Sequence, residues 1–171
     1  MTTTAKPSRR FFQFSLATLL MFVAAICVVL AVRANRQHNR RVAIAKIESL
    51  GGKIVYLPEW QTRWSRLLPE VLTPELSPLA RLMGDDPSEL VIGVLFNDGH
   101  KITDCDLDNL KPLTEVCCIF AFNEFPISDA GLMRLASLTH LKVIAFVGKT
   151  NVTDAGIAEF QKVLPNCEIR R

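Results

Sequence analysis

Apolar and polar residues recur with a period of 25 in the second half of the chain. An apolar residue followed by Ser or Thr and then Asp occurs at residues 102–104, 127–129 and 152–154. Apolar residues keep the same step on both sides of each motif, among them Val94, Ile119 and Ile144 upstream and Leu110, Leu135 and Phe160 downstream. A period of about 20–29 residues is typical of a solenoid with one strand and one helix per turn. The pattern therefore predicts an α/β fold over residues 90–171, a short solenoid of strand–helix repeats with a parallel sheet.

Each repeat is predicted to contain a strand, a loop and a helix. The predicted strands are residues 91–96, 116–122 and 141–147, and the predicted helices lie near 105–111, 130–137 and 155–163. Val91, Val94 and Phe96, with the residues 25 and 50 positions later, are expected to point into the solenoid. The helix N-caps are predicted at Thr103, Ser128 and Thr153, each followed by an aspartate, because these residue types favour that position. Gly131 and Gly156 are expected to allow close backbone approach.

The outward-facing strand positions are also apolar. They form a candidate interaction face, which comprises Leu95, Phe120, Phe122, Val143, Ala145 and Val147. A strand that is apolar on both faces is usually buried on both, whereas a large exposed apolar patch marks an interaction surface. Three explanations stay open: residues 58–86 fold over this face, a partner protein or a second copy covers it, or the strand assignment is shifted by one residue, which would exchange the two faces.

An uncharged apolar run at residues 11–32 predicts a transmembrane helix. Its 22 residues would extend about 33 Å as a helix, and the hydrocarbon core of a bilayer is about 30 Å thick. A cleaved signal peptide has a shorter apolar region, and a lipoprotein signal would place a small residue before Cys27, where Ile26 stands. The arginine pair in residues 8–12 also resembles a twin-arginine export signal, although such signals are usually less apolar afterwards.

Basic residues flank the apolar run on both sides. Residues 1–10 form a basic tail, and residues 33–52 are predicted to be a basic juxtamembrane helix that ends at Gly51 and Gly52. The second flank is the more basic, so the positive-inside rule favours a cytoplasmic C-terminal part. The candidate lipid-headgroup contacts are Arg33, Arg36, Arg40 and Arg41. The same arginines could equally serve as a simple stop-transfer flank.

Residues 53–89 are predicted to form a strand–helix cap followed by a proline-rich excursion. The cap consists of a strand at 53–57 and a helix that Pro58 opens, with Trp60, Trp64, Leu67 and Leu68 on one face. A solenoid needs its first interior layer covered, and this strand and helix are placed to cover it.

Charge and cysteine content narrow the possible functions. Residues 1–83 carry a net charge of +8 and residues 84–171 carry −5, so the predicted folded part is acidic, which argues against a nucleic-acid binder. The five cysteines contain no CxxC pair and are expected to be small buried hydrophobes. Asp104, Asp129 and Asp154 could in principle hold a cation, but helix capping accounts for them more simply. We expect no catalytic, metal or cofactor site and no small-molecule substrate.

Residues 128–132 and 152–157 resemble the TDAGL-type leucine-rich repeat of bacterial proteins. Residues 138–141 resemble the link into that repeat's strand, and residues 164–169 resemble its terminal half-repeat. The first unit departs from the pattern, with Cys105 and Asp106 where Ala and Gly are expected. The resemblance implies a non-catalytic scaffold that binds other proteins, held by a single span in the bacterial inner membrane. An alternative is an envelope structural protein that self-associates through the apolar sheet face; an enzyme with an unrecognised site is a third.

Overall fold

The described residues form a mixed α/β protein with a five-stranded sheet and an N-terminal apolar helix. A computed structural model describes residues 16–59, 90–97 and 102–171. The strands are β1 (Gly52–Tyr56), β2 (Val91–Phe96), β3 (Cys118–Phe122), β4 (Val143–Val147) and β5 (Glu168–Arg170). The helices are α1 (Leu16–Ser49), a 3-10 helix (Asp104–Leu110), α2 (Asp129–Arg134), which runs into a 3-10 turn (Leu135–Ser137), and α3 (Asp154–Val163).

The sheet has the order β1-β2-β3-β4-β5. β1 is antiparallel to β2, and every later pair is parallel. The parallel strands place residues 25 positions apart side by side, as in the row Gly93, Cys118, Val143 and Glu168. The sequence period is therefore also the pairing register of these strands.

The first predicted helix is a 3-10 helix, and this corrects the expectation of an ordinary helix near 105–111. Its sequence, DCDLDNL, is rich in Asp and Asn, which favour caps and turns over helix interiors. The Asn109 side chain donates to the Asp106 carbonyl oxygen at 2.8 Å, and such local side-chain bonds compete with regular helical bonding. The other two helices lie within one residue of their predicted starts.

The main core lies between the sheet and the helices. Val94, Ile119 and Ile144 on the strands are at most 1 % exposed, and the expectation that they point inward is confirmed. Leucines of the helices and of the turns after them complete this core: Leu107, Leu110, Leu113, Leu132, Leu135 and Leu138. Phe125 is also buried there, with its ring centroid 5.3 Å from Phe96 and 6.1 Å from Phe146. The repeat pattern did not predict Phe125.

The chain divides into two compact units, residues 1–38 and 39–171, and α1 contributes to each. In the first unit the apolar part of α1 is exposed, and the helix is long and apolar enough to cross a membrane. Residues 11–15 of the predicted transmembrane segment lie outside the described residues.

In the second unit the last turns of α1 enter the core. Ala43 is 4 % exposed and Ile47 is 1 % exposed, and both belong to the main core cluster. The predicted cap strand is β1, which pairs with β2. Residues 57–59 are helical, and the remainder of the predicted cap helix, together with the proline-rich excursion, lies outside the described residues.

Candidate interaction face of the sheet

The side of the sheet that faces away from the main core is apolar as well. Its residues form a second buried cluster made of Val55, Ile92, Leu95, Cys117, Cys118 and Val143. Strand neighbours alternate between the two clusters, as Ile119 and Ala121 in the main core alternate with Cys118 and Phe120 on this second side. The alternative in which the assignment is shifted by one residue is therefore wrong.

The six residues of the predicted interaction face differ in exposure. Leu95, Val143 and Ala145 are 5–7 % exposed, so they offer little surface to another molecule. Phe120 and Phe122 are half-buried, and Val147 is 55 % exposed.

The accessible part of the face is therefore a smaller patch of Phe120, Phe122 and Val147, which we call the exposed rim. Phe122 and Val147 are neighbours across β3 and β4. The rings of Phe120 and Phe122 are stacked with centroids 6.4 Å apart. The rim is thus one contiguous apolar surface on two adjacent strands.

A charged pair follows on the next strand. Glu168 pairs with Val143 and Arg170 with Ala145, so both belong to the same side of the sheet. The Arg170 guanidinium donates two hydrogen bonds to the Glu168 carboxylate, at 2.8 and 3.0 Å. These bonds hold the pKa of Glu168 below its ordinary value. The apolar surface therefore changes to a polar, salt-bridged border at β5.

Leu57 and Leu90, on either side of the segment that lies outside the described residues, are beside the second cluster. Leu57 and Leu90 both pack against that cluster. The Leu57 backbone N–H donates to the Leu90 carbonyl oxygen at 3.0 Å. The interpretation that residues 58–86 cover this face concerns a segment outside the described residues and stays a prediction.

Two of the repeated aspartates, Asp104 and Asp129, have a different role, because the carboxylate of each binds the start of the helix in the next 25-residue segment. Asp104 accepts hydrogen bonds from the Ser128 backbone N–H at 2.9 Å and from its hydroxyl at 2.5 Å. Asp129 accepts the corresponding pair from Thr153, both at 2.7 Å. The bonds from Thr153 hold the pKa of Asp129 below its ordinary value. The predicted N-caps at Ser128 and Thr153 are confirmed. The contact of each aspartate with the next 25-residue segment was not predicted.

The glycines of the motif make room for these carboxylates. A Cβ atom on Gly131 would collide with the carboxylate of Asp104, and one on Gly156 would collide with that of Asp129. The expectation of close backbone approach is confirmed here. Asp106 occupies the corresponding place in the first motif, and its own carboxylate accepts from the Thr103 N–H and hydroxyl, at 3.0 and 2.7 Å. The departure from Ala-Gly therefore preserves the capping chemistry.

The third aspartate of the row has a different partner. Asp154 forms an ion pair with Arg171, whose guanidinium also donates to the Val152 carbonyl oxygen at 3.1 Å. Within the described ranges no group of three or more His, Cys, Asp or Glu side chains is placed to hold a metal ion. The hydrogen bonds of Asp104 and Asp129 are those of capping groups.

The cysteines separate into buried and exposed thiols. Cys117, Cys118 and Cys167 are buried, as expected, whereas Cys27 and Cys105 are exposed. Burial raises the pKa of Cys117 and of Cys118, and it raises the pKa of Cys167 to about 12. A thiol with a raised pKa is a poor nucleophile, because the thiolate is the reactive form.

The predicted lipid-contacting arginines all lie on α1. Arg33 and Arg36 belong to the first unit, and Arg40 and Arg41 belong to the second. Arg36 and Arg41 are exposed, while Arg33 and Arg40 are half-buried. No family model, curated protein or solved structure matches the chain. The positions of these arginines and of the exposed rim are therefore the basis for assigning a function.

Proposed function

We propose that this chain is a membrane-tethered protein-interaction module of the leucine-rich repeat type, without catalytic chemistry of its own. Two regularities support the repeat assignment. Parallel strands pair at the 25-residue period, and Asp104 and Asp129 each cap the helix that begins one unit later. A solenoid whose units contact only their neighbours has both properties.

The anchor is α1, which provides a single span of the bacterial inner membrane. The exposed apolar stretch of this helix supports that role. The described residues of the first unit are all part of this one helix. Lipid would therefore cover its apolar stretch. The charge difference between the flanks favours a C-terminal part on the cytoplasmic side.

The partner-binding surface is the exposed rim of Phe120, Phe122 and Val147. One observation carries this assignment: Val147 is 55 % exposed although it continues a sheet face that is otherwise largely buried. Aromatic side chains that are already partly ordered by stacking are favourable contact residues, since little side-chain freedom is lost on binding. The partner is a protein, and a second copy of this chain is the alternative.

Site-specific photo-crosslinking in the membrane of living bacteria tests the rim. A photoreactive amino acid replaces Val147 in the full chain, and in a matched variant it replaces Val163 on α3, which is 52 % exposed. We expect position 147 to give an adduct of one defined mass that position 163 does not give. The additional substitution Phe122→Ser should weaken that adduct.

Three results separate the possibilities. Equal adducts from both positions, or none from position 147, would contradict a binding role for the rim. An adduct of twice the mass of the chain identifies a second copy and favours the self-associating envelope protein. A heavier adduct with a single other protein identifies the partner and supports the proposed function.

A further inference from the structure

After the apolar stretch of α1, all the Lys and Arg positions over residues 33–45 are arginines. Residues 33–47 contain Arg33, Arg36, Arg40, Arg41 and Lys46, and the first acidic residue of the whole chain is Glu48. This segment therefore carries a dense positive charge at one end of the apolar stretch. Elsewhere in the described residues Lys and Arg are mixed, as with Lys149, Lys162 and Arg170.

The helix places the first two arginines at a defined depth. Arg33 directly follows the apolar stretch, and Arg36 lies about 4.5 Å farther along the helix axis at 1.5 Å per residue. The headgroup layer on each side of a bilayer is about 5–8 Å thick, from a core of about 30 Å and a total of about 40–45 Å. When the apolar stretch fills the core, both guanidinium groups fall within the headgroup layer. The spacing i, i+3 also puts them on one face of the helix.

The guanidinium group suits a phosphate better than an ammonium group does. It presents a planar fork of N–H donors that can bind two phosphate oxygens at once, and it is always charged. A long arginine side chain can also direct its charged end toward the membrane surface while its methylene groups stay on apolar material. A flank that serves only to stop transfer needs positive charge and has no requirement for this fork.

We propose that Arg33 and Arg36, supported by the charge of Arg40 and Arg41, bind the phosphate groups of anionic phospholipids at the membrane surface. This inference rests on the proposed membrane anchor but not on the proposed interaction rim. The ligand is the phosphodiester of an anionic lipid headgroup. It differs from free inorganic phosphate in being presented at the depth that the helix sets.

Lipid selectivity of the full chain tests the proposal. The chain is reconstituted in nanodiscs of phosphatidylcholine with spin-labelled phosphatidylglycerol or spin-labelled phosphatidylcholine, and the motionally restricted fraction of each label is measured. We expect a several-fold preference for phosphatidylglycerol. The variant R33Q/R36Q/R40Q/R41Q should lose the preference, because the apolar stretch remains but the guanidinium groups are gone.

The matched control removes the same charge from the C-terminal unit. The variant K53Q/K142Q/K149Q/K162Q should keep the preference of the unaltered chain. Replacing the four arginines by lysine should leave only a smaller preference, and full retention with lysine would overturn binding through the guanidinium fork. The proposal is also overturned if the unaltered chain shows no preference, or if the control variant loses as much as the arginine variant.

Two further measurements distinguish a failure of the membrane anchor from a failure of headgroup binding, and a lipid ligand from free phosphate. A chain that is not recovered with the nanodiscs contradicts the membrane anchor, whereas a recovered chain without lipid preference contradicts headgroup binding alone. Inorganic phosphate is then added at an ionic strength matched with chloride. Retention of the preference supports a lipid ligand, and its selective loss in phosphate would show that the arginines bind the free anion instead.

Discussion

At the scale of single residues, the Asp and Gly positions of the motif depend on each other, because the carboxylate fits only where the glycine has no side chain. The carboxylate of Asp129 accepts hydrogen bonds from the backbone N–H and the hydroxyl of Thr153. It also occupies the place that a Cβ atom on Gly156 would need. Asp104 and Gly131 repeat the same arrangement one unit earlier. Neither residue type can be explained within its own 25-residue segment, because the aspartate of one segment lies against the glycine of the next. The aspartate satisfies backbone donors that a helix start would otherwise leave unpaired.

The substitution Gly156→Ala tests this coupling. We expect it to lower the free energy of unfolding by about 1–3 kcal/mol, the usual cost of forcing an extra group into a filled space. In a background with Asp129→Ala the same substitution should cost clearly less, because the carboxylate that it would meet is gone. Urea unfolding of the four proteins of this double-mutant cycle measures the difference. Equal costs in both backgrounds would show that the two residues act independently.

At the scale of elements, the end of α1 belongs to the folded core of the second unit. Ala43 and Ile47 are buried with residues of β2 and of the 3-10 helix. Gly52 begins β1 where a Cβ atom would lie 2.5 Å from a methyl group of Ile47 and 2.9 Å from the Phe96 ring. The basic juxtamembrane segment predicted from the sequence thus ends as a packing element, because its apolar residues have the spacing of one helical face.

Paired alanine substitutions on α1 test this packing. Ile47→Ala should lower the free energy of unfolding by about 2–5 kcal/mol, since it leaves a cavity in the core. Val42→Ala should change it by less than about 0.5 kcal/mol, because Val42 is 55 % exposed. Urea unfolding of the full chain in detergent micelles, followed by circular dichroism, provides the comparison. Similar effects of the two substitutions would argue that this part of α1 does not pack in the core.

At the scale of the whole molecule, charge is distributed unequally along the chain. The flank before the apolar run contains Lys6, Arg9 and Arg10, and the flank after it contains the four arginines and Lys46. Lys and Arg near the ends of a span favour the cytoplasmic side. From the larger number after the apolar run we propose that the C-terminal part lies in the cytoplasm, where the thiols of the chain would stay reduced.

A reporter fused after Arg171 tests the orientation. Alkaline phosphatase, which is active only outside the cytoplasm, should be inactive there, and green fluorescent protein should be fluorescent. The variant R33Q/R36Q/R40Q/R41Q leaves Lys46 against three basic residues on the other flank, so we expect the orientation to invert in a substantial fraction of molecules. An active phosphatase on the unaltered chain would contradict the cytoplasmic assignment.

The residues that sequence reasoning placed correctly share one physical property. Val94, Ile119 and Ile144 alternate with their neighbours, and the burial of one face of a strand is determined locally by that alternation. The caps at Thr103, Ser128 and Thr153 are equally local, because a helix start must satisfy its own backbone donors. The pairing of parallel strands at a step of 25 residues follows from the repeat, since equivalent residues of successive 25-residue segments lie side by side.

Contacts between residues that are far apart in the sequence needed the tertiary structure. The carboxylate of Asp129 binds Thr153 and lies against Gly156, so it joins two successive 25-residue segments. An aspartate in a helix start gives no sign of which partner it will have. Val143 and Val147 are chemically identical and both face the same side of β4, yet one is 5 % exposed and the other 55 %. The sequence alone determined that neighbouring strand residues point to opposite sides of the sheet, because side-chain alternation is a local property of the backbone. The structure then excluded a shift of the assignment by one residue. Only the tertiary structure decided how much of the outer side remains accessible, because that depends on which distant residues pack over each position.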